Sequence, residues 1–91
     1  MVQKEQKHDF SVGGYRFSLT RTQAAHKLAT LKARDIEKVR KLFVEVKGRQ
    51  IPIKQALNTI EPRILRSGSN SSDGIRVFRR LGFKVGERET D

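Results

Sequence analysis

Residues 71–83 read Ser-Ser-Asp-Gly-Ile-Arg-Val-Phe-Arg-Arg-Leu-Gly-Phe, and their spacing predicts a helix with two unlike faces. The cationic side chains recur at the i, i+3, i+4 spacing of one helix face and are Arg76, Arg79 and Arg80. The apolar side chains lie at helical spacing on the other side and are Ile75, Phe78 and Leu81. Because the apolar side can pack on a core while the cationic side stays exposed, this stretch predicts how the C-terminal half of the chain folds.

The two ends of this helix are also marked in the sequence. Ser71 or Ser72 is predicted to cap its first turn, since a serine hydroxyl accepts a hydrogen bond from a free backbone N–H. Leu81-Gly82 is predicted to end it, which gives a helix over residues 72–81. Residues 83–85 then alternate as a final strand would.

A β-hairpin is predicted near the N-terminus, around the two-residue turn Gly13-Gly14. Glycine reaches positive φ without strain, and pairing outward from this turn sets Val12 opposite Tyr15 and Phe10 opposite Phe17. These four side chains then share one face of a two-stranded ribbon. We interpret that face as part of the core, Tyr15 included, rather than as a platform on which nucleic-acid bases stack.

Two helices are predicted after this ribbon. The capping-box spacing of residues 20–23 predicts a helix over residues 21–31. Asp35 is predicted to cap a second, short helix in which Ile36 and Val39 face inward.

A second hairpin and a further helix follow these two. The hairpin turns at Lys47-Gly48, which puts Val44 roughly opposite Ile51. Pro52 suits the first turn of a helix, and the apolar residues after it are spaced i, i+3, i+4, i+7. This helix is predicted to end by Glu61, because a proline follows that residue.

The order of elements is roughly β-β-α-α-β-β-α-α-β, which predicts an α+β fold. We expect one small domain over residues 8–86, built of antiparallel hairpins with helices packed on one face. Residues 52–85 have the order helix, connection, helix, strand of a winged-helix-like unit, although about ten residues separate the helices where a compact turn has three or four. Residues 1–7 and 87–91 are predicted polar tails, the first of them disordered.

Charge is the strongest compositional signal. The 91 residues carry 20 Lys+Arg against 10 Asp+Glu, a formal net charge of +10 at pH 7. This excess is more than solubility requires and favours a polyanionic partner, nucleic acid first. The chain has no cysteine, no apolar run as long as a membrane span and no signal-peptide pattern at its start. We therefore expect a soluble cytoplasmic protein without disulfides, metal sites or cofactors.

The predicted interface is the arginine-bearing helix face, supported by a basic hairpin tip at Lys47 and Arg49 with Lys54 close to it at the start of the next helix. We expect a non-enzymatic protein that binds double-stranded DNA, because arginine presents a planar fork of donors matched to phosphate oxygens. The predicted nucleic-acid-binding residues are Arg76, Arg79, Arg80, Lys47, Arg49, Lys54, Ser71 and Ser72. Ser69 and Asn70 offer further donors just before the helix.

Other functions stay open. An RNA-binding protein needs exposed aromatic rings, which this sequence is expected to use for its core. A small metal-dependent nuclease would use Asp35, Glu45 and Lys47, since Glu45-Val46-Lys47 resembles the Glu-x-Lys part of such sites. A basic adaptor would bind an acidic protein partner. Membrane binding ranks low, because the apolar face of the first helix has small alanines and not bulky side chains that anchor in a bilayer. A homodimer would match a palindromic DNA site, but no surplus apolar face marks its interface.

One part of the sequence also resembles a known pattern. The stretch GRQIPIKQAL at residues 48–57, followed by RRLGF at residues 79–83, is similar to a pattern found in small uncharacterised prokaryotic proteins. The resemblance covers about the C-terminal half of the chain. It implies one fold from residue 43 onward and implies no activity.

Overall fold

The computed structural model describes residues 6–39, 41–65 and 71–88, which contain five strands and three α-helices. The strands are β1 (His8–Val12), β2 (Tyr15–Leu19), β3 (Leu42–Val46), β4 (Arg49–Pro52) and β5 (Lys84–Glu87). The α-helices are α1 (Arg21–Ala29), α2 (Ile53–Ile60) and α3 (Ser71–Arg80). Two small antiparallel sheets and these helices form one domain, so the predicted α+β class is confirmed.

The first hairpin has the predicted register. β1 and β2 pair antiparallel, with Phe10 opposite Phe17 and Val12 opposite Tyr15. The rings of Phe10 and Phe17 lie 5.4 Å apart between centroids, and Phe10 is buried in the core. The prediction for Tyr15 was wrong, because its side chain is 42% exposed. Its ladder partner Val12 is buried in the core, whereas the Tyr15 ring lies under the guanidinium of Arg63 at the surface.

The second sheet has three strands in the order β4-β3-β5. Val44 on the central strand lies opposite Ile51 of β4, as predicted, and opposite Val85 of β5. All contacts within this sheet are antiparallel. The strand expected to act as a wing, β5, is thus the outer strand of a sheet and returns the chain to β3 after α3.

The short helix predicted to begin at Asp35 does not form. Ala33–Asp35 makes a single 3-10 turn, and the backbone is extended from Ile36. The side chain of Gln55 on α2 explains the difference, since its amide oxygen accepts from the Glu37 N–H at 2.8 Å and its amide nitrogen donates to the Asp35 carbonyl at 2.7 Å. In a helix capped by Asp35, the Asp35 carbonyl would accept from the Val39 N–H and the Asp35 side chain would accept from the Glu37 N–H, and the Gln55 amide takes the place of both. Burial of Val39 agrees with the prediction.

The core lies between the helices and the central strand. The apolar face of α2 is buried along its whole length, and its residues are Ile53, Ala56, Leu57 and Ile60. α3 packs against α2 at Gly74, where a Cβ atom would lie 2.7 Å from Ile53 Cγ1. Val77 and Phe78 of α3 are fully buried behind this contact. Because α2 and α3 approach so closely, α3 is locked in rotation and its arginine face points outward.

Candidate nucleic-acid interface

The solvent-exposed face of α3 carries the predicted cationic residues. Its exposed residues recur at one-turn spacing and are Ser72, Arg76, Arg79 and Arg80. We call this set the α3 face. An acidic residue, Asp73, lies beside this face, and its carboxylate is 3.6 Å from Arg76 Nη2. Arg79 and Arg80 lie in the last turn, where the helix dipole favours positive charge, so exposing them there costs the fold little.

α3 starts close to the predicted residue and ends at the predicted stop. The helix begins at Ser71, one residue earlier than expected, so Ser71 and Ser72 belong to its first turn rather than to a cap. Ser69 and Asn70 lie outside the described residues. At the other end, Gly82 has φ of 88°, and the Phe83 N–H donates to the Phe78 carbonyl at 2.9 Å. This is a Schellman motif, and the predicted stop is confirmed.

Two arginines hold the two edges of the β1–β2 ribbon. They are Arg76 and Arg63, and the sequence did not single out the second of them. Arg76 Nη2 donates to the Ser11 carbonyl at 3.0 Å, and Arg63 Nη2 donates to the Arg16 carbonyl at 3.1 Å. Ser11 and Arg16 are opposite each other in the ladder, and alternate pairs of an antiparallel ladder turn their carbonyls outward. Each exposed edge of the ribbon therefore has a carbonyl that accepts a hydrogen bond from a guanidinium, and the two carbonyls belong to one pair of opposite residues.

The other two arginines of the α3 face are held less firmly. The Arg80 guanidinium lies over the Phe10 ring, 5.9 Å from its centroid. The Arg79 side chain has no hydrogen-bond or ion-pair partner among residues 6–39, 41–65 and 71–88. Arg76 is thus partly a structural residue, Arg80 is positioned by stacking, and Arg79 is the least constrained of the three.

The second hairpin presents Lys47 and Arg49 at its tip. Lys47 has φ of 50°, in the left-handed region that non-glycine residues rarely adopt. Holding a lysine there costs about 1–2 kcal/mol relative to right-handed backbone. Arg49 Nη1 donates to the Leu31 carbonyl at 2.8 Å, which fixes the tip against the end of α1. A strained cation at an exposed turn is a reason to assign it a role in binding.

Replacing Lys47 with asparagine should stabilise the hairpin while weakening DNA binding. Asn-Gly fits a turn with two positive φ values better than Lys-Gly, so we expect the free energy of unfolding in urea to rise by about 0.5 kcal/mol. Loss of one phosphate contact should lower the affinity for duplex DNA by up to about ten-fold near 0.1 M salt. Lys7→Asn, at an exposed residue before β1, is the matched control. Equal losses of affinity in the two variants would argue against a role for the tip.

Arg21 connects this tip to the α3 face. The Arg21 guanidinium lies over the Phe83 ring, 5.4 Å from its centroid, and beside Gly82 at the end of α3. An open groove of about 490 Å³ runs from Arg21 and Phe83 to Lys47, with His26 on its wall. The sequence did not indicate Arg21 as a binding residue, because its position predicts only the start of α1. Arg21 and Lys47 thus line one groove between the tip and the end of α3, which Glu45 also lines.

Lys54 lies apart from the tip. It lines a separate groove of about 380 Å³ that also contains Lys38, Lys41 and Ser71. The structure thus brings Lys54 together with the first turn of α3, not with Lys47 and Arg49 as the sequence suggested. Both grooves flank α3, one at each of its ends.

Arg63 is fixed by a further partner besides the ribbon. Its Nη2 lies 2.6 Å from Glu61 Oε1. The hydrogen bond from the guanidinium lowers the pKa of the Glu61 carboxyl below its ordinary value. The same guanidinium lies over the Tyr15 ring, 5.2 Å from its centroid. Arg63 is therefore held by a carboxylate, a carbonyl and an aromatic ring together.

The residues of the nuclease alternative lie on β3, in the turn after it and in the 3-10 turn. Glu45 lies on β3, with Oε2 3.9 Å from Lys84 Nζ, and Asp35 lies in the 3-10 turn. Within the described part of the chain, no three His, Cys, Asp or Glu residues are grouped so that they could hold a metal ion.

The comparisons with known proteins add no relative. The chain matches no protein-family model, no curated protein and no solved structure. Of the helices in the described ranges, none is both long enough and apolar enough to cross a membrane.

Proposed function

We propose that this chain is a non-enzymatic, cytoplasmic protein that binds double-stranded DNA through the α3 face. One observation carries the proposal: the exposed residues of α3 are a serine and three arginines at one-turn spacing, on a helix whose opposite side packs on the core. Lys47, Arg49 and Arg21 would extend the contact at the C-terminal end of α3. Lys54 would do so at its N-terminal end, together with Ser71.

The balance of charges supports a polyanionic ligand. Among the predicted binding residues that the structure describes, Arg76 alone has a carboxylate within ion-pair distance. Elsewhere in the described ranges, Lys41, Arg63 and Lys84 also make ion pairs. Most of the interface cations are therefore available to phosphates, and releasing counterions from DNA would supply the affinity.

The dimensions of α3 favour duplex DNA over duplex RNA. A helix of ten residues is about 15 Å long, and the major groove of B-form DNA, about 12 Å wide, admits a helix. The major groove of A-form RNA is too deep and narrow for side chains to reach its bases. A helix in the groove would place its arginines against phosphates or against guanine edges, and phosphate contacts are the more frequent.

Binding of the intact protein to nucleic acids across a salt series tests the proposal. The ligands are labelled duplex DNA, single-stranded DNA and duplex RNA of one sequence, each measured with Mg²⁺ and with EDTA. We expect duplex DNA to bind tightest, with affinity that falls steeply as salt rises and with no cleavage. Equal and shallow salt dependence for all three ligands would contradict the proposal. Cleavage that needs Mg²⁺ would instead favour the nuclease built on Glu45 and Lys47.

A further inference from the structure

The tip of the first hairpin carries a feature that duplex binding does not use. Two large apolar side chains are exposed within the described ranges, Tyr15 at 42% and Leu65 at 63%. They line the same shallow cavity of about 190 Å³, together with Gly13, Arg63 and Ile64. Single apolar residues scattered on a surface need no explanation, whereas two large ones that line one cavity are a candidate binding site.

We infer that this patch, Tyr15 with Leu65 and Arg63, is a stacking site for an unpaired nucleobase. The inference rests on the proposed function and narrows its substrate to duplex DNA with a single-stranded extension or an unpaired base. Aromatic rings bind bases of any sequence, because every base offers a π face. The Arg63 guanidinium lies over one face of the Tyr15 ring, so the base would stack on the other face.

The patch is rigid enough to bind without large ordering costs. The Tyr15 backbone pairs with Val12 in the ladder, which fixes where this residue lies, and its ring lies against the Arg63 guanidinium. Arg63 is held at 2.6 Å from Glu61 and at 3.1 Å from the Arg16 carbonyl. A site whose side chains are already positioned loses less conformational entropy when the ligand binds. Arg63 acts here as a positioning residue for Tyr15.

The patch is also next to the α3 face rather than across the molecule. Arg76 on α3 donates to Ser11, which is opposite Arg16 in the ribbon, and Arg16 is adjacent to Tyr15. Arg80, one turn later, lies over Phe10, one residue earlier in β1. β1 therefore runs antiparallel to α3, and the turn of the first hairpin, Gly13-Gly14, lies toward the first turn of α3. A DNA strand leaving the duplex at that end would meet Tyr15.

Charge favours a nucleic acid over a second copy of this chain as the occupant. The Arg63 guanidinium lies over the exposed ring and Arg76 holds the neighbouring strand β1, while Glu61 pairs with the first of them and Asp73 with the second. A symmetric contact between two copies would bring these arginine groups together, and like charges brought together in an interface oppose binding. A base linked to phosphates supplies both the apolar plane and the negative charge.

Tyrosine fluorescence tests the inference directly, because Tyr15 is the only tyrosine and the chain has no tryptophan. The protein is titrated with a blunt duplex, with the same duplex carrying a short single-stranded tail, and with the tail strand alone. We expect the tailed duplex to quench the fluorescence and to bind on the order of ten-fold tighter than the blunt duplex. Equal affinities and unquenched fluorescence would overturn the inference.

Three variants separate stacking from general binding. Tyr15→Leu should bind the blunt duplex as the unmodified protein does but lose the preference for the tail, and Tyr15→Phe should keep that preference. Arg79→Ala should weaken binding of both duplexes and leave their ratio unchanged. A preference that survives in Tyr15→Leu would overturn the inference, as would self-association that this variant abolishes. If no DNA binds at all, the proposed function itself is wrong, whereas blunt-duplex binding without a tail preference contradicts only this inference.

Discussion

Replacing Arg76, Arg79 and Arg80 together with alanine should lower the affinity for duplex DNA on the order of several hundred-fold near 0.1 M salt. Each phosphate contact adds about 0.9 to the slope of log affinity against log salt, so three lost contacts should reduce that slope by about 2.7. Each contact then accounts for roughly an eight-fold change in affinity at this salt concentration. Fluorescence anisotropy with labelled duplex, repeated over a salt series, measures both quantities.

Two matched variants show whether position or mere charge is responsible. Lys7, Lys32 and Arg34 are exposed and lie outside α3, so replacing these three with alanine removes the same charge. That variant should keep most of the affinity, whereas equal losses would show that the α3 face has no special role. Replacing the three α3 arginines with lysine should retain the slope, because lysine keeps the point charge.

The triple alanine variant needs a stability measurement alongside the binding assay. Arg76 donates to the Ser11 carbonyl, so its removal leaves one edge of the β1–β2 ribbon without that donor. We expect a cost of about 1 kcal/mol in the free energy of unfolding, which leaves the protein folded at room temperature. Arg79→Ala alone should weaken binding with no change in stability, since that side chain has no partner within the described ranges.

The elements that the sequence predicted well are those decided by neighbouring residues. The Thr20 hydroxyl accepts from the Gln23 N–H, and the Gln23 side chain accepts from the Thr20 N–H, as the spacing indicated. Alternation around Gly13-Gly14 fixed the register of the first hairpin, because shifting it by one residue would move every apolar side chain to the other face. In both cases the physical cause lies within about ten residues of the element.

The partners of the interface arginines could not be predicted in the same way. Arg76 and Ser11 are 65 positions apart, and Arg63 and Arg16 are 47 apart. Helical spacing shows that an arginine is exposed, but it does not show which backbone carbonyl the fold brings to it. The exposure of Tyr15 has the same origin, since the pattern places the ring on the apolar face and only the extent of the core decides whether it is covered.

The segment after Asp35 shows how a distant side chain can override a local signal. An aspartate followed by apolar residues at i+1 and i+4 is typical of a capped helix. Gln55, which is 20 positions away, satisfies the backbone of this segment in an extended form. The Gln55 side chain is 5% exposed, so this polar residue faces inward on α2. A buried amide is recognisable from its contacts and not from its spacing.

Replacing Gln55 with leucine should therefore destabilise the protein by about 2–4 kcal/mol. Leucine fills similar volume, but it leaves the Glu37 N–H and the Asp35 carbonyl without the bonds that they make at 2.8 and 2.7 Å. Each partly buried polar group that loses its partner costs about 1–3 kcal/mol, and an added apolar side chain cannot offset this at a site already packed. Urea unfolding measures the change, and hydrogen exchange at the Glu37 amide should show where the structure loosens.

The exposed Gln50 of β4 provides the comparison, since Gln50→Leu makes the same chemical change without removing a buried hydrogen bond. We expect Gln50→Leu to stay within about 0.5 kcal/mol of the unmodified protein. If the two variants unfold at the same urea concentration, the Gln55 amide does not hold residues 35–37, and the absence of the second helix needs another cause. If Gln55→Leu alone is destabilised but still binds duplex DNA when folded, the amide supports the fold while the α3 face acts independently of it.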